Sequence, residues 1–139
     1  MDESIIYLKE KFSLPQVDIQ TYSPLTLAYI GDAAYELVVR TFLVDQGNSR
    51  PDKLHRKASS MVKAAAQAAM AEALKDSLTE EELSVYRRGR NANVHSIPAH
   101  ASRAQYQQAT ALEALLGYLY LQGRRDRVNQ LFCRMMEGE

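Results

Sequence analysis

Two stretches of this 139-residue chain place a carboxylate where a helix has little use for one. In PLTLAYIGDAAYELVVRTFLV, the residues three and four positions from Asp32 are Ala28, Tyr29, Tyr35 and Glu36, and none is a cation. A carboxylate in mostly apolar company is costly unless something outside its own helix neutralises it. Aspartate is a mediocre helix former, and Gly31 beside it adds about 1 kcal/mol of helix penalty relative to alanine. Two locally unfavourable choices in succession point to function. In TALEALLGYLYL, Glu113 lies beside an apolar stripe of Leu112, Leu115, Leu116 and Leu119, and its neighbours Ala109, Thr110, Leu116 and Gly117 offer no salt bridge. Each acid has a glycine close by on a tightly packed helix, so the two meet if those helices cross. Oxygen-only ligands of this kind suit Mg²⁺, which takes a few carboxylates plus waters and substrate phosphate. Such an ion activates water and stabilises charge on a phosphate, which is the chemistry of phosphodiester hydrolysis.

Phosphate chemistry needs cations nearby, and their distribution is uneven. The chain holds 17 basic and 17 acidic side chains, so zero net charge argues against a generally basic nucleic-acid coat. The first 49 residues carry only Lys9, Lys11 and Arg40 against seven acids. Between Leu83 and Arg125, by contrast, Arg87, Arg88, Arg90, Arg103, Arg124 and Arg125 face the single acid Glu113. A second cluster, Arg50, Lys53, Arg56, Lys57 and Lys63, is answered only by Asp52. If the two share a face they form a phosphate-binding track; otherwise they are solvated helix faces.

The elements that must position these residues read as all α. Pro and Gly fall between segments of helical period, and no alternating strand pattern is bounded by hairpin turns. The spacing predicts about six helices. The first covers 2–12, closed by Leu14-Pro15, and an irregular stretch runs to Tyr22. Ser23-Pro24 then opens a helix to about Gln46, with serine as cap and proline preset for the first turn. Gly47 stops it; Ser49 and Pro51 start an alanine-rich helix reaching about Ser77. Thr79 with Glu82 forms a capping box for a helix to about Arg90. After the loop NANVHSIPAH, a fifth helix spans about Ser102 to Gln122 and a sixth about Asp126 to Met136.

The 24–46 helix needs cover on both sides. Projected at ~100° per residue, Leu27, Ile30, Ala34, Leu37, Val38 and Thr41 form one face, expected toward the core. The opposite face, Leu25, Ala28, Tyr29, Tyr35, Val39 and Leu43 around Asp32 and Glu36, is apolar too. In a chain this short a dimer interface is the simpler explanation. Glu36 is expected to pair with Arg40 one turn on.

Other residue types exclude more than they suggest. A lone Cys133 rules out an internal disulfide or a Cys-rich zinc site and is expected to be a small core residue. His55, His95 and His100 lack a metal spacing and are expected to make surface or loop hydrogen bonds. No apolar run approaches the ~18 residues of a membrane span, and the start carries acids rather than a leader, so the expectation is a cytoplasmic protein. The length suits one domain with a real core.

The quoted residues also resemble a family. LTLAYIGDAAYELVV is similar to the signature helix of ribonuclease III, an acid, two apolar residues, Gly-Asp and an apolar helix. TALEALLGYLYL resembles that family's second acidic helix, Asp-x-x-Glu-Ala-Leu-x-Gly, and RRGRNAN the basic helix end between them. The resemblance runs from about Tyr22 to Leu121. With no space for a C-terminal double-stranded-RNA-binding domain, it is nearest to the short bacterial branch called Mini-ribonuclease III.

What the resemblance implies is specific. The family's metal-binding and catalytic aspartate falls on Asp32 and its catalytic glutamate on Glu113, with Mg²⁺ as cofactor. Two further family acids are replaced, by Ala28 and Thr110, which weakens metal binding or leaves coordination to water and substrate. Pairing through the signature helix makes a homodimer with a valley in which each site cuts one strand of double-stranded RNA, leaving 5′-phosphate ends. Recognition is expected to be led by shape, phosphates and 2′-hydroxyls. Lys53, Arg56, Lys57, Arg87, Arg88 and Arg90, with Asn91 and Asn93, are expected on that surface. The branch implies maturation of large-subunit (23S) ribosomal RNA, with a ribosomal protein as a candidate helper. The competing reading is a non-catalytic RNA-binding helical dimer that keeps the scaffold after losing acids.

Overall fold

The computed structural model describes residues 3–92 and 102–137, so Asn93, His95 and His100 lie outside the described residues. The described residues form seven α-helices and no strand: α1 (Glu3–Lys11), α2 (Pro24–Val44), α3 (Pro51–Val62), α4 (Ala64–Leu74), α5 (Glu80–Arg90), α6 (Arg103–Leu121) and α7 (Arg125–Glu137). Local chemistry sets most boundaries. Ser23 Oγ accepts the Thr26 N–H at 3.1 Å, and Pro24 opens α2. Thr79 and Glu82 exchange both bonds of a capping box, at 3.2 and 2.9 Å, and Ser102 with Gln105 do the same for α6.

The predicted helix from Pro51 to Ser77 is instead two helices, α3 and α4, followed by a 3₁₀ turn at Lys75–Ser77. The chain turns at Lys63, whose ψ of 147° is extended. No proline or glycine marks this break. Two distant side chains take up the carbonyls released there: the Tyr35 hydroxyl donates to Met61 O at 2.9 Å, and Gln67 Nε2 donates to Val62 O at 3.1 Å. Free carbonyls at a buried helix end need such partners.

α6 is the axis of the fold. Its residues from Ala109 to Leu119 are buried all round apart from Glu113, which is half-buried. Helices α2, α4, α5 and α7 pack against it. A helix apolar on every side belongs at such a centre. The 24–46 helix, by contrast, has one buried face, made by Leu27, Ala28, Gly31, Ala34, Tyr35, Val39 and Leu43. The expected core face was therefore half right. Leu27 and Ala34 are inside, whereas Leu37 and Thr41 are exposed, and Ala28, Tyr35, Val39 and Leu43 from the other side fill the core instead. Both sides being apolar, tertiary packing chose the side that brings glycine toward α6.

Leu25, Tyr29, Leu37, Phe42 and Val44 are left on the outer surface of α2. Leu37, Val38, Thr41 and Phe42 join Phe132 and Cys133 of α7 around a groove of about 500 Å³. Cys133 is thus exposed rather than a core residue, because α7 turns Val128, Leu131, Phe132 and Met135 inward. One buried charge escaped the sequence reading. Glu82, with 0% side-chain exposure, receives Arg127 Nε and Nη2 at 2.8 Å each, and Arg127 Nη2 also reaches Ser77 O at 2.8 Å. The guanidinium holds the Glu82 carboxyl below its usual range and ties α7 to the start of α5.

Candidate active site

The site begins where α2 and α6 cross. A Cβ built on Gly31 would overlap the Glu113 carbonyl oxygen and come within 2.9 Å of Gly117 N; one built on Gly117 would overlap the Leu27 carbonyl and come within 3.0 Å of Gly31 N. Only two glycines allow the backbones to approach so closely. The residues flanking this contact are Asp32, next to Gly31, and Glu113, one turn before Gly117. The crossing therefore brings together two acids distant in sequence, with the Asp32 carboxylate within hydrogen-bonding reach of Glu113.

Asp32 is exposed and Glu113 half-buried, so the pair sits at the rim of the molecule. Burial, the hydrogen bond with Asp32 and the neighbouring Asp32 charge, in that order, push the Glu113 carboxyl up to about 9. Two carboxylates this close cannot both ionise at neutral pH without a cation. A divalent cation would relieve that opposition, and the donor set fits Mg²⁺, which is held by one or two carboxylates plus waters and phosphate. No group of three or more His, Cys, Asp or Glu suited to a metal occurs among the described residues. The positions expected to lack family acids are filled accordingly: Ala28 is buried, and Thr110 spends its hydroxyl on Tyr106 O at 2.9 Å. Glu36 pairs with Arg40 at 2.7 Å, as its spacing predicts, and so is engaged within its own helix.

The basic residues expected to meet nucleic acid are exposed: Lys53, Arg56 and Lys57 on α3, and Arg87, Arg88 and Arg90 on α5. Both helices pack against α2. Arg88 Nη2 donates to Tyr22 O at 3.1 Å, holding the segment that leads into α2. Asn91 ends α5 and is exposed. Arg124 is drawn off by Glu81 at 3.4 Å and Glu82 at 3.9 Å, and Arg125 lies over the Tyr120 ring at 5.6 Å. Sequence reasoning missed a pocket beside the first turn of α2, where Ser23, Leu25 and Ser84 join Arg87, Arg88 and Asn91. No local spacing signals it, because α2 and α5 supply its two walls.

The described residues thus combine an all-α core, a glycine crossing, two neighbouring acids at that crossing and exposed cations on the adjacent helices. The family described as "Ribonuclease III domain" matches residues 25–124. A Mini-ribonuclease 3 of Symbiobacterium thermophilum is 50% identical over 111 residues, covering 80% of this chain and 85% of the relative. One of Enterococcus faecalis is 41% identical over 126 residues, covering 88% and 96%. A Fusobacterium nucleatum protein with an X-ray crystal structure superposes with a TM-score of 0.79 at 28% identity, over 88% of this chain and 98% of that one. The chain belongs to the ribonuclease III domain family, the class of endoribonucleases that cut double-stranded RNA.

Proposed function

We propose that this chain hydrolyses double-stranded RNA as a Mg²⁺-dependent homodimer paired through α2, cutting one strand at each Asp32–Glu113 site. The observation that supports this most directly is the apposition of those two acids, where burial of Glu113 and the neighbouring Asp32 hold a proton on Glu113 at neutral pH. Mg²⁺, when bound, supplies an activated water and neutralises charge on the phosphate and leaving oxygen. Asp32 and Glu113 would hold it. Glu113 carries a proton on its carboxyl until a cation displaces it, so occupancy of the site and ionisation of Glu113 are coupled. Asp32, open to solvent, is the member of the pair that an incoming phosphate would reach. Lys53, Arg56, Lys57, Arg87, Arg88, Arg90 and Asn91 would position the duplex through its phosphates, with Asn93 on the same expected surface. The relatives named Mini-ribonuclease 3 support a place in the short branch of the family. We further assign the substrate to precursor large-subunit ribosomal RNA in the cytoplasm, with a ribosomal protein as a candidate helper. No helix among the described residues is long and apolar enough to cross a membrane.

A long RNA duplex incubated with the chain tests this reading. Cleavage to products with 5′-phosphates in Mg²⁺, none with chelator, and none from Asp32→Asn are the expected results. Salt-sensitive binding without cleavage by the unaltered chain in Mg²⁺ would instead make it an RNA-binding dimer, with the replacements at Ala28 and Thr110 as the cause.

A further inference from the structure

The pocket between the first turn of α2 and the end of α5 has a composition unlike the other cavities. It is a shallow, open depression of about 770 Å³, and its walls carry Arg87, Arg88, Asn91, Ser23 and Ser84 with Leu25, two guanidiniums and no carboxylate. Both arginines are exposed. Arg88 is held in place by one bond to Tyr22 O, leaving its other donors for a ligand, and Arg87 makes no ion pair among the described residues. Guanidiniums so placed suit a tetrahedral oxyanion, which a planar fork meets with two parallel N–H bonds, and the two serines and Asn91 add neutral donors.

Position decides which anion. Leu25 on the pocket wall lies seven residues before Asp32, so the two share one stripe of α2, displaced by about 10 Å along the helix axis at ~1.5 Å per residue. An anion in the pocket is therefore too far from the Asp32–Glu113 pair to be the group under attack, yet is aligned with it along one helix. A polymer of evenly spaced phosphates fills both places with one molecule.

We propose that this pocket holds a backbone phosphate of the RNA duplex other than the one being cut, through Arg87, Arg88 and Asn91, and so sets the register at which the strand meets Asp32 and Glu113. This rests on double-stranded RNA being the substrate. It adds a defined point of contact to the general basic surface.

The test uses the full chain, a short RNA duplex and chelator, so that binding is read without cleavage. One strand carries a neutral methylphosphonate at each backbone position in turn. The unaltered chain is expected to lose several-fold affinity at one or two positions displaced from the cut. Arg87→Gln is expected to be indifferent there, and to lower the slope of log affinity against log salt by about one. Arg87→Lys is expected to restore the salt slope. Position-by-position losses that are the same in the unaltered chain and Arg87→Gln overturn the proposal, as does an unchanged salt slope. Inorganic phosphate alone, followed by the Asn91 side-chain amide signals, distinguishes a free-anion site: saturation well below millimolar with no Arg87-dependent position in the duplex overturns it. Cleavage in Mg²⁺ is scored separately. A chain that shows the Arg87-dependent position but never cuts keeps the pocket and loses the nuclease reading, whereas one that cuts without it loses the pocket alone.

Discussion

Glu113 keeps a proton where an ordinary glutamate, titrating at 4.5, has lost it, because α6 buries it and Asp32 stands beside it with its own charge. The folded chain therefore binds more protons than the unfolded chain between about 4.5 and 9. By linkage, stability falls as pH rises through that window, the reverse of a carboxylate held in a salt bridge. In metal-free buffer, the melting temperature is expected to drop by roughly 10 °C between pH 6 and pH 9, and Glu113→Gln to flatten that drop. A divalent ion should reverse it. Added Mg²⁺ is expected to raise the melting temperature more at pH 8 than at pH 6, since the ion needs the ionised pair. Asp32→Asn, which removes the repelling charge, is expected to fold at least as well as the unaltered chain while losing duplex cleavage. Thermal melts across pH, with and without Mg²⁺, check all of this; a melting temperature flat in pH for the metal-free chain overturns the coupled pair.

At the scale of elements, the close crossing of α2 on α6 is what converts two separate helices into one site. Gly117→Ala must push its new methyl group into the Leu27 carbonyl, which backbone cannot yield as a side-chain end would. We expect a loss of about 2–3 kcal/mol in urea unfolding, as for other overpacked contacts. Cleavage should fall further, by about a hundredfold under conditions where the variant is folded, since a shift of ~1 Å between catalytic groups costs that much. Arg127→Ala tests a different joint. It leaves Glu82 buried without its partner and is expected to cost about 3–5 kcal/mol, with the active-site pair untouched. The sequence shows the glycines, the caps at Ser23 and Thr79, and the unpartnered acids, because each is a local departure from what a helix interior prefers. It does not show the break at Lys63 or the Glu82–Arg127 pair. Those are made by residues far away in the chain, Tyr35 for one and α7 for the other, and no local residue departs from type. The face of α2 that turns inward was legible only as a choice of two, since both are apolar and only contact with α6 decides.

At the scale of the whole molecule, the outer side of α2 remains to be covered. Tyr29 is 84% exposed, Leu37 53% and Val44 56%, with Leu25 and Phe42 on the same helix. Large side chains left in water along one helix, bordering an apolar groove against α7, are what the proposed pairing through α2 would cover. A second copy is the occupant consistent with cutting both strands of one duplex, because a two-fold pair presents two Asp32–Glu113 sites to strands that are themselves related by a two-fold axis. Leu37→Asp places a charge in the centre of that surface without touching the core, so each chain should still fold. The unaltered protein is expected to sediment as a dimer at micromolar concentration and the variant as a monomer with the same helical content. The variant should cut duplex RNA at least tenfold more slowly, and its first products should be nicked rather than severed, since a lone site reaches one strand at a time. A monomeric unaltered chain that severs both strands at full rate would remove the need for α2 pairing and leave its apolar side to another partner.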